Sequence, residues 1–188
     1  LNNPTKNGYT FTGWTGSNGT TAQTSVSIEK GSTDNKSYTA NWKAIEYTIS
    51  YDLDGGSVTG NPTSYTIETA TFTLNNPTKT GYKFDGWTGS NGTTPQTTVT
   101  INKGSTGNKS YTANWTLNEF TVTIAVNNSA YGKVSQTSVA NVPYGTVLSV
   151  SGNVLTVNGT KVTASVIDLT GYTTTFTGWT NGTATVTG

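Results

Sequence analysis

Residues 1–42 return, almost letter for letter, at 74–115. At an offset of 73 the two stretches agree at 34 of 42 positions. The eight differences are Asn7/Thr80, Thr10/Lys83, Thr12/Asp85, Ala22/Pro95, Ser25/Thr98, Ser27/Thr100, Glu29/Asn102 and Asp34/Gly107. Self-similarity at a fixed period identifies a tandem array of small units. A degenerate third copy comes next. Tyr47-Thr48-Ile49-Ser50-Tyr51 has its counterpart in Phe120-Thr121-Val122-Thr123-Ile124. Gly81-Tyr82-Lys83-Phe84-Asp85-Gly86-Trp87 returns as Gly171-Tyr172, then Phe176-Thr177-Gly178-Trp179, after 17 additional residues. Arrays of this kind serve as spacers, stalks or multivalent binders. A catalytic centre needs one asymmetric cluster of unlike groups, which repetition does not supply.

The period limits what each unit is made of, and composition completes the restriction. The 188 residues include 43 Thr, 20 Asn, 17 Ser and 22 Gly, and no Arg, His, Cys or Met. The branched Cβ of Thr crowds a helical turn and suits a pleated sheet, so β structure is expected almost throughout. Apolar content is 31%, with aromatics at recurring places, which predicts a thin aromatic core in each unit. Net charge is +1 with scattered lysines, which offers no footprint for nucleic acid or an acidic membrane. Without Cys there is neither disulfide nor thiolate metal site. No apolar run is long enough to span a bilayer as a helix. The chain starts and stops inside repeats. It therefore reads as a fragment whose export signal or anchor lies outside it.

Three units are expected: 1–43, lacking its first strand; 44–116, complete; and 117–188, divergent and truncated before a closing Tyr-x-Ala-x-Trp strand. In the complete unit, Tyr47, Ile49, Tyr51 and Leu53 alternate with polar residues as a half-buried strand. Asp54-Gly55-Gly56 is a turn, and Val58 begins the return. Residues 66–74 read as extended, and Pro77 interrupts pairing. Tyr82 and Phe84 alternate until Gly86-Trp87 shifts the parity, as a bulge does. Val99 and Ile101 form a short strand, and Tyr111, Ala113 and Trp115 close the unit. In the third unit the added length falls at 155–162, an inserted hairpin with Asn158-Gly159 as its type I′ turn. Linkers of four residues, 43–46 and 116–119, are too short for free rotation. Ile45 and Leu117 are placed to pack against the neighbouring unit.

The run Ile49-Ser50-Tyr51-Asp52-Leu53-Asp54-Gly55-Gly56, then Leu74-Asn75-Asn76-Pro77-Thr78-Lys79-Thr80-Gly81-Tyr82-Lys83-Phe84-Asp85-Gly86-Trp87, then Tyr111-Thr112-Ala113-Asn114-Trp115, resembles the Listeria–Bacteroides repeat, the B-repeat of internalin-type surface proteins. The likeness is strong over 45–115, partial over 1–42 and weak over 117–188. There, Tyr144-Gly145-Thr146-Val147-Leu148 resembles the divergent B-repeat class. The resemblance implies mostly β, small β-grasp-like modules with little helix, in an elongated arrangement within exported or surface-attached bacterial proteins. It implies no chemistry and carries over no site residue.

The residues themselves offer three candidates for chemistry. Tyr9, Phe11, Trp14 and Trp42 recur as Tyr82, Phe84, Trp87 and Trp115, and Trp179 stands in the third unit. Such rings fill a core, or one per unit stacks on a sugar. Asp52-Leu53-Asp54-Gly55 starts like a calcium loop, yet position 63 is Thr where a bidentate Glu is needed, and the third unit has Ala125 and Asn127. Ser27-Ile28-Glu29-Lys30 matches a Ser-x-x-Lys pair, but on a strand running into a turn rather than on a helix, and the sister unit has Thr100. The expected chain is therefore not an enzyme. It has no catalytic, metal or cofactor residues, and its ligand-binding residues are unknown. It is a monomeric, extracellular spacer or stalk with adhesion to host or cell-surface proteins or glycans as an added role. The alternative is a carbohydrate-binding module array using exposed aromatics.

Overall fold

The computed structural model describes residues 1–181 and the backbone of 184–186. The expected stop of the third unit at Gly188, short of a closing strand, lies outside the described residues. Those residues contain eighteen strands and no helix. They group into two compact units: Leu1–Lys79 with Phe84–Trp115, and Thr80–Lys83 with Thr116–Gly188.

In the first compact unit, β1 (Tyr9–Gly16), β2 (Gly19–Gln23) and β3 (Tyr38–Ala44) form a sheet in the order β2-β1-β3. Then come β4 (Tyr47–Asp52), β5 (Ser64–Tyr65), β6 (Phe72–Thr73), β7 (Tyr82–Gly89), β8 (Gly92–Gln96), β9 (Thr100–Ile101) and β10 (Lys109–Leu117). Five of these build a sheet in the order β5-β4-β10-β7-β8, and β6 with β9 makes a separate ribbon. β4 and β10 run parallel at its centre, with Lys109 opposite Ile49 and Tyr111 opposite Tyr51. β1 and β7, and β2 and β8, fall 73 residues apart, as the sequence identity demands.

The predicted parity shift is real. The β1–β3 register slips between Phe11 and Gly13. Gly13 and Gly86 sit at φ +134° and +139°, a region that L side chains avoid. A Cβ on Gly13 would lie 2.6 Å from the Gln23 nitrogen, and one on Gly86 would run into the Gln96 nitrogen. The Asn of Tyr-Thr-Ala-Asn-Trp locks the bulge. Asn41 Nδ2 donates to the Gly13 carbonyl and the Thr15 hydroxyl, both at 3.0 Å, and to the Thr39 carbonyl at 3.1 Å. Asn114 makes the same three bonds at the same distances, to Gly86, Thr88 and Thr112.

The core of the first compact unit gathers Ile49, Tyr65, Leu74, Trp87, Val99, Ile101, Tyr111 and Ala113. All of it comes from the complete repeat. Within residues 1–43 only Val26 is a buried apolar side chain. The partial repeat is instead tied to the complete one. The Ile45 amide donates to the Gly8 carbonyl at 2.9 Å, Tyr9 Oη donates to Glu68 Oε1 at 2.9 Å, and Gly8 lies under Ile67 so closely that a Cβ would come within 2.5 Å of its Cδ1.

In the second compact unit, β11 (Glu119–Thr123) pairs antiparallel with β13 (Ser138–Pro143). A four-stranded sheet orders β12 (Gly132–Val134), β16 (Thr160–Val166), β15 (Val154–Val157) and β14 (Ser149–Ser151) as β12-β16-β15-β14. β17 (Trp179–Asn181) pairs with β18 (Ala184–Val186). The inserted hairpin is β15–β16. Val157 faces Thr160 across Asn158 at φ +45° and Gly159 at +78°, the two left-handed residues that a type I′ turn requires. Its side chains Leu155, Val157, Val162 and Ala164 join Ile124, Val139, Val142 and Trp179 in the core.

Several expectations need correction. Val58 does not begin the return strand. Ser57 instead bridges Thr78, and pairing with β4 waits for Ser64 and Tyr65. Residues 66–69 are a turn, closed by the Thr69 amide on the Thr66 carbonyl at 3.1 Å, and only Phe72–Thr73 is strand. The linkers are shorter than four residues, because β3 and β10 run on. Ile45 and Glu46 alone separate β3 from β4, and Asn118 alone separates β10 from β11. Ile45 is half-buried, whereas Leu117 is 36% exposed. Residues 172–178, the counterpart of most of β7, are not strand, and strand resumes at Trp179.

Candidate functional site

The aromatic residues are the first candidate, and their geometry is repeated. Phe11–Trp14, Phe84–Trp87 and Phe176–Trp179 meet edge to face, with ring centroids 5.5, 5.5 and 5.7 Å apart. In each, the Gly between them has φ between +134° and +139°. The bulge turns Phe and Trp, three residues apart, onto the same side. Quadrupole attraction favours this edge-on contact. Trp42 and Trp115 meet Phe11 and Phe84 in the same way, at 5.6 and 5.4 Å.

These rings do not form a platform. Trp87 and Trp179 are buried, and Trp14, Trp42 and Trp115 are half-buried. Trp115 Nε1 donates to the Leu53 carbonyl at 3.1 Å, and its ring lies against Gly56, so it caps the turn after β4. Lys79 Nζ stands 5.8 Å from the Trp115 ring centroid, and Lys6 Nζ stands 5.9 Å from that of Trp42.

Asp52 and Asp54 are the second candidate. Asp52 Oδ1 accepts the Asp54 amide at 3.1 Å, and the Gly56 amide closes the turn on Leu53 at 2.9 Å. The Asp54 carboxylate pairs with Lys79 Nζ at 3.1 Å. One carboxylate thus shapes the turn and the other meets an ammonium, which are structural roles for both. Among the described residues no cluster of three or more His, Cys, Asp or Glu side chains is placed to hold a metal.

Ser27 and Lys30 are the third. Residues 25–29 have neither strand nor helix, a correction to the expected strand, and the Ser32 amide closes a turn on Glu29 at 3.2 Å. Ser27 and Lys30 are both exposed, so no enclosed site surrounds the pair.

Four tyrosines, Tyr9, Tyr51, Tyr65 and Tyr111, titrate above the ordinary range. Burial pushes the Tyr51 hydroxyl up to about 12, and Tyr111 nearby adds to it. Tyr65 and Tyr111 are raised by burial first and by neighbouring tyrosines second. Tyr9 is raised by its bond to Glu68. Tyr51 Oη donates to the Pro62 carbonyl at 2.9 Å, and Tyr65 Oη to that of Gly107 at 2.6 Å. Hydroxyls spent on backbone carbonyls are braces.

Two features escaped the sequence reading, both in the second compact unit. Phe120, Tyr131, Tyr144 and Tyr172 are exposed, Tyr172 at 79%. Phe120 and Tyr172 hold repeat positions whose counterparts Tyr47 and Tyr82 are half-buried, so the repeat did not announce their exposure. A cavity of about 380 Å³ also runs beside β11, lined among others by Ile124, Val126, Leu155, Phe176 and Trp179.

Compared with known proteins, residues 47–118 match the Listeria-Bacteroides repeat domain, and residues 4–46 match the Divergent InlB B-repeat domain. The divergent match thus falls on the first repeat, whereas the sequence reading saw divergent features at 117–188. No curated protein and no solved structure matches the chain.

Proposed function

We propose that this chain, whose residues 47–118 match the Listeria-Bacteroides repeat domain, is a non-catalytic spacer of an exported or surface-attached bacterial protein. The observation that carries this reading is the junction after the first repeat. Two residues separate β3 from β4, Ile45 bonds back to Gly8, and Ile67 seats on Gly8. A joint with a two-residue linker and a packed glycine resists bending, and stiffness is what a spacer needs. We read the chain as three modules, 1–43, 44–116 and 117–188, the last a divergent repeat, in an elongated series. β-Grasp-like describes the complete module. The parallel pairing of its first and last long strands, β4 and β10, side by side in the sheet, supports that reading.

Small-angle scattering at the lowest practical concentration tests the reading. A cross-section that stays constant along a long axis supports it. Inserting a Gly-Ser segment between Ala44 and Ile45 should broaden the distribution of dimensions. A compact particle, or an insertion without effect, overturns the stiff spacer.

A second reading has one observation in its favour. Tyr131 and Tyr172 are exposed and border a shallow pocket with Thr173, Thr174 and Thr175. Rings flanked by hydroxyls are the furniture of a sugar site. Saturable binding on a glycan panel, lost in Tyr172→Ala, would place adhesion to glycans on this surface.

A further inference from the structure

We infer that Asn158 is a site of spontaneous covalent modification, deamidation through its neighbour Gly159, and that the fold protects two other asparagines of the same local sequence. Five Asn-Gly pairs occur in the chain, at 7–8, 18–19, 91–92, 158–159 and 181–182, the last reaching past the described residues. Residues 18–20, 91–93 and 158–160 all read Asn-Gly-Thr. In such a pair the glycine nitrogen attacks the asparagine Cγ. A C–N bond closes a succinimide ring, and the side-chain nitrogen leaves as ammonia, taking up the glycine amide proton. Water then adds to either ring carbonyl and opens the ring to an aspartyl or an isoaspartyl residue. Glycine favours the step because no Cβ blocks the approach. Water is the only co-reactant.

Identical local sequence leaves tertiary structure to set the rates. Asn18 and Asn91 are half-buried. Their Nδ2 atoms donate to the carbonyls of Trp14 and Trp87, both at 2.7 Å, and their Oδ1 atoms are enclosed. Cyclisation there must break that bond and swing an enclosed amide outward. Asn7 is exposed, but Gly8 is buried under Ile67 and its carbonyl accepts the Ile45 amide, so the attacking backbone is held. Asn158 has none of these restraints. It and Gly159 are exposed at the tip of the β15–β16 hairpin, and a Cβ on Gly159 would meet nothing within 4 Å. Among the described residues no hydrogen bond holds the Asn158 side chain. The hairpin pairing runs through Val157 and Thr160 and leaves the Gly159 nitrogen out of the ladder. Each event replaces a neutral amide by a carboxylate. An aspartyl residue still suits the turn, since Asp-Gly is also a type I′ pair. An isoaspartyl residue adds a backbone carbon between Val157 and Thr160, against the register that buries Val157 and Val162. This inference is independent of the spacer reading.

Peptide mapping after incubation of the intact chain at mildly alkaline pH tests it. Cleavage after lysine puts Asn18, Asn91 and Asn158 on separate peptides, and fragmentation locates the changed residue within each. In the folded chain the amide-to-acid mass gain should build up at Asn158 about tenfold faster than at Asn18 or Asn91, because one hydrogen bond must break at those two before the ring can close. In urea all three should react at one rate, since their local sequences agree. Asn158→Asp, which keeps a type I′ pair, should remove the gain at that position and leave the other two unchanged. Equal rates in the folded chain, or Asn18 or Asn91 ahead of Asn158, overturn the inference. So does an Asn158 that stays unmodified in the folded chain while the urea sample reacts. A rate difference that persists in urea would assign it to local sequence and overturn it as well.

Discussion

Ile28 and Ile101 hold the same position in two nearly identical repeats, yet Ile28 is 52% exposed and Ile101 only 3%. The difference is a strand. Ile101 sits in β9 and pairs with Phe72 of β6, whereas Ile28 lies outside any strand. The pairing begins alike in both. The Leu1 ammonium donates to the Val26 carbonyl at 2.7 Å, as the Leu74 amide does to Val99 at 2.9 Å. Beyond that point the complete repeat continues into the β6–β9 ribbon.

Ile101→Ala should therefore destabilise the complete module by about 2–5 kcal/mol, the usual cost of an emptied core position. Ile28→Ala should stay within about 0.5 kcal/mol of the parent, as surface changes do. Urea unfolding followed by circular dichroism compares them. Equal losses would mean that Ile28 is covered in solution.

The tryptophans extend the contrast. Trp87 is fully buried and touches Phe84, Tyr51 and Tyr111, so Trp87→Ala should cost about 3–5 kcal/mol. Trp14→Ala removes a half-buried ring and should cost clearly less. Thermal melts of the two variants decide it, and an unchanged melting temperature for Trp87→Ala would remove that ring from the core.

Glycine at the bulge is required twice over. Gly86 has φ +139° and no room for a Cβ beside Gln96, whereas Gly92 at φ +111° faces open space. Gly92→Ala should cost about 1–3 kcal/mol through backbone strain alone. Gly86→Ala should cost more, since the β8 backbone must also move. Amide exchange at β8 would report that displacement, and identical exchange in both variants would contradict it.

Alkaline stability depends on Tyr51. Its folded-state pKa of about 12 exceeds the ordinary 10, so the folded state retains a proton that the unfolded chain releases. The contribution is complete below pH 10 and is lost as pH rises from there through about 12. Urea midpoints should fall across that window while absorbance at 295 nm shows delayed tyrosine ionisation. Tyr51→Phe should flatten the slope, and an unchanged slope would assign it to other groups.

What could be read in advance was local. The repeat offset gave the correspondence of β1 with β7 and β2 with β8. Gly13 and Gly86 announced a bulge because a parity change in an alternating strand needs an extra residue. Asn158-Gly159 announced its hairpin because two adjacent left-handed residues have few other uses. The candidate sites were legible only as weak patterns. Asp52 ends β4 and shapes the turn in which Asp54 sits, and the exposed Tyr131 had no repeating position to mark it.

The amino-acid sequence by itself therefore determined the period, the β character and the chemistry of each turn, since these depend on residues close in the chain. Tertiary structure alone decided which of two identical residues is buried and where β4 meets β10. Those outcomes depend on strands some sixty residues apart, Tyr51 and Tyr111 among them. A local pattern specifies which face of a strand is apolar, but it does not specify which distant strand will cover it.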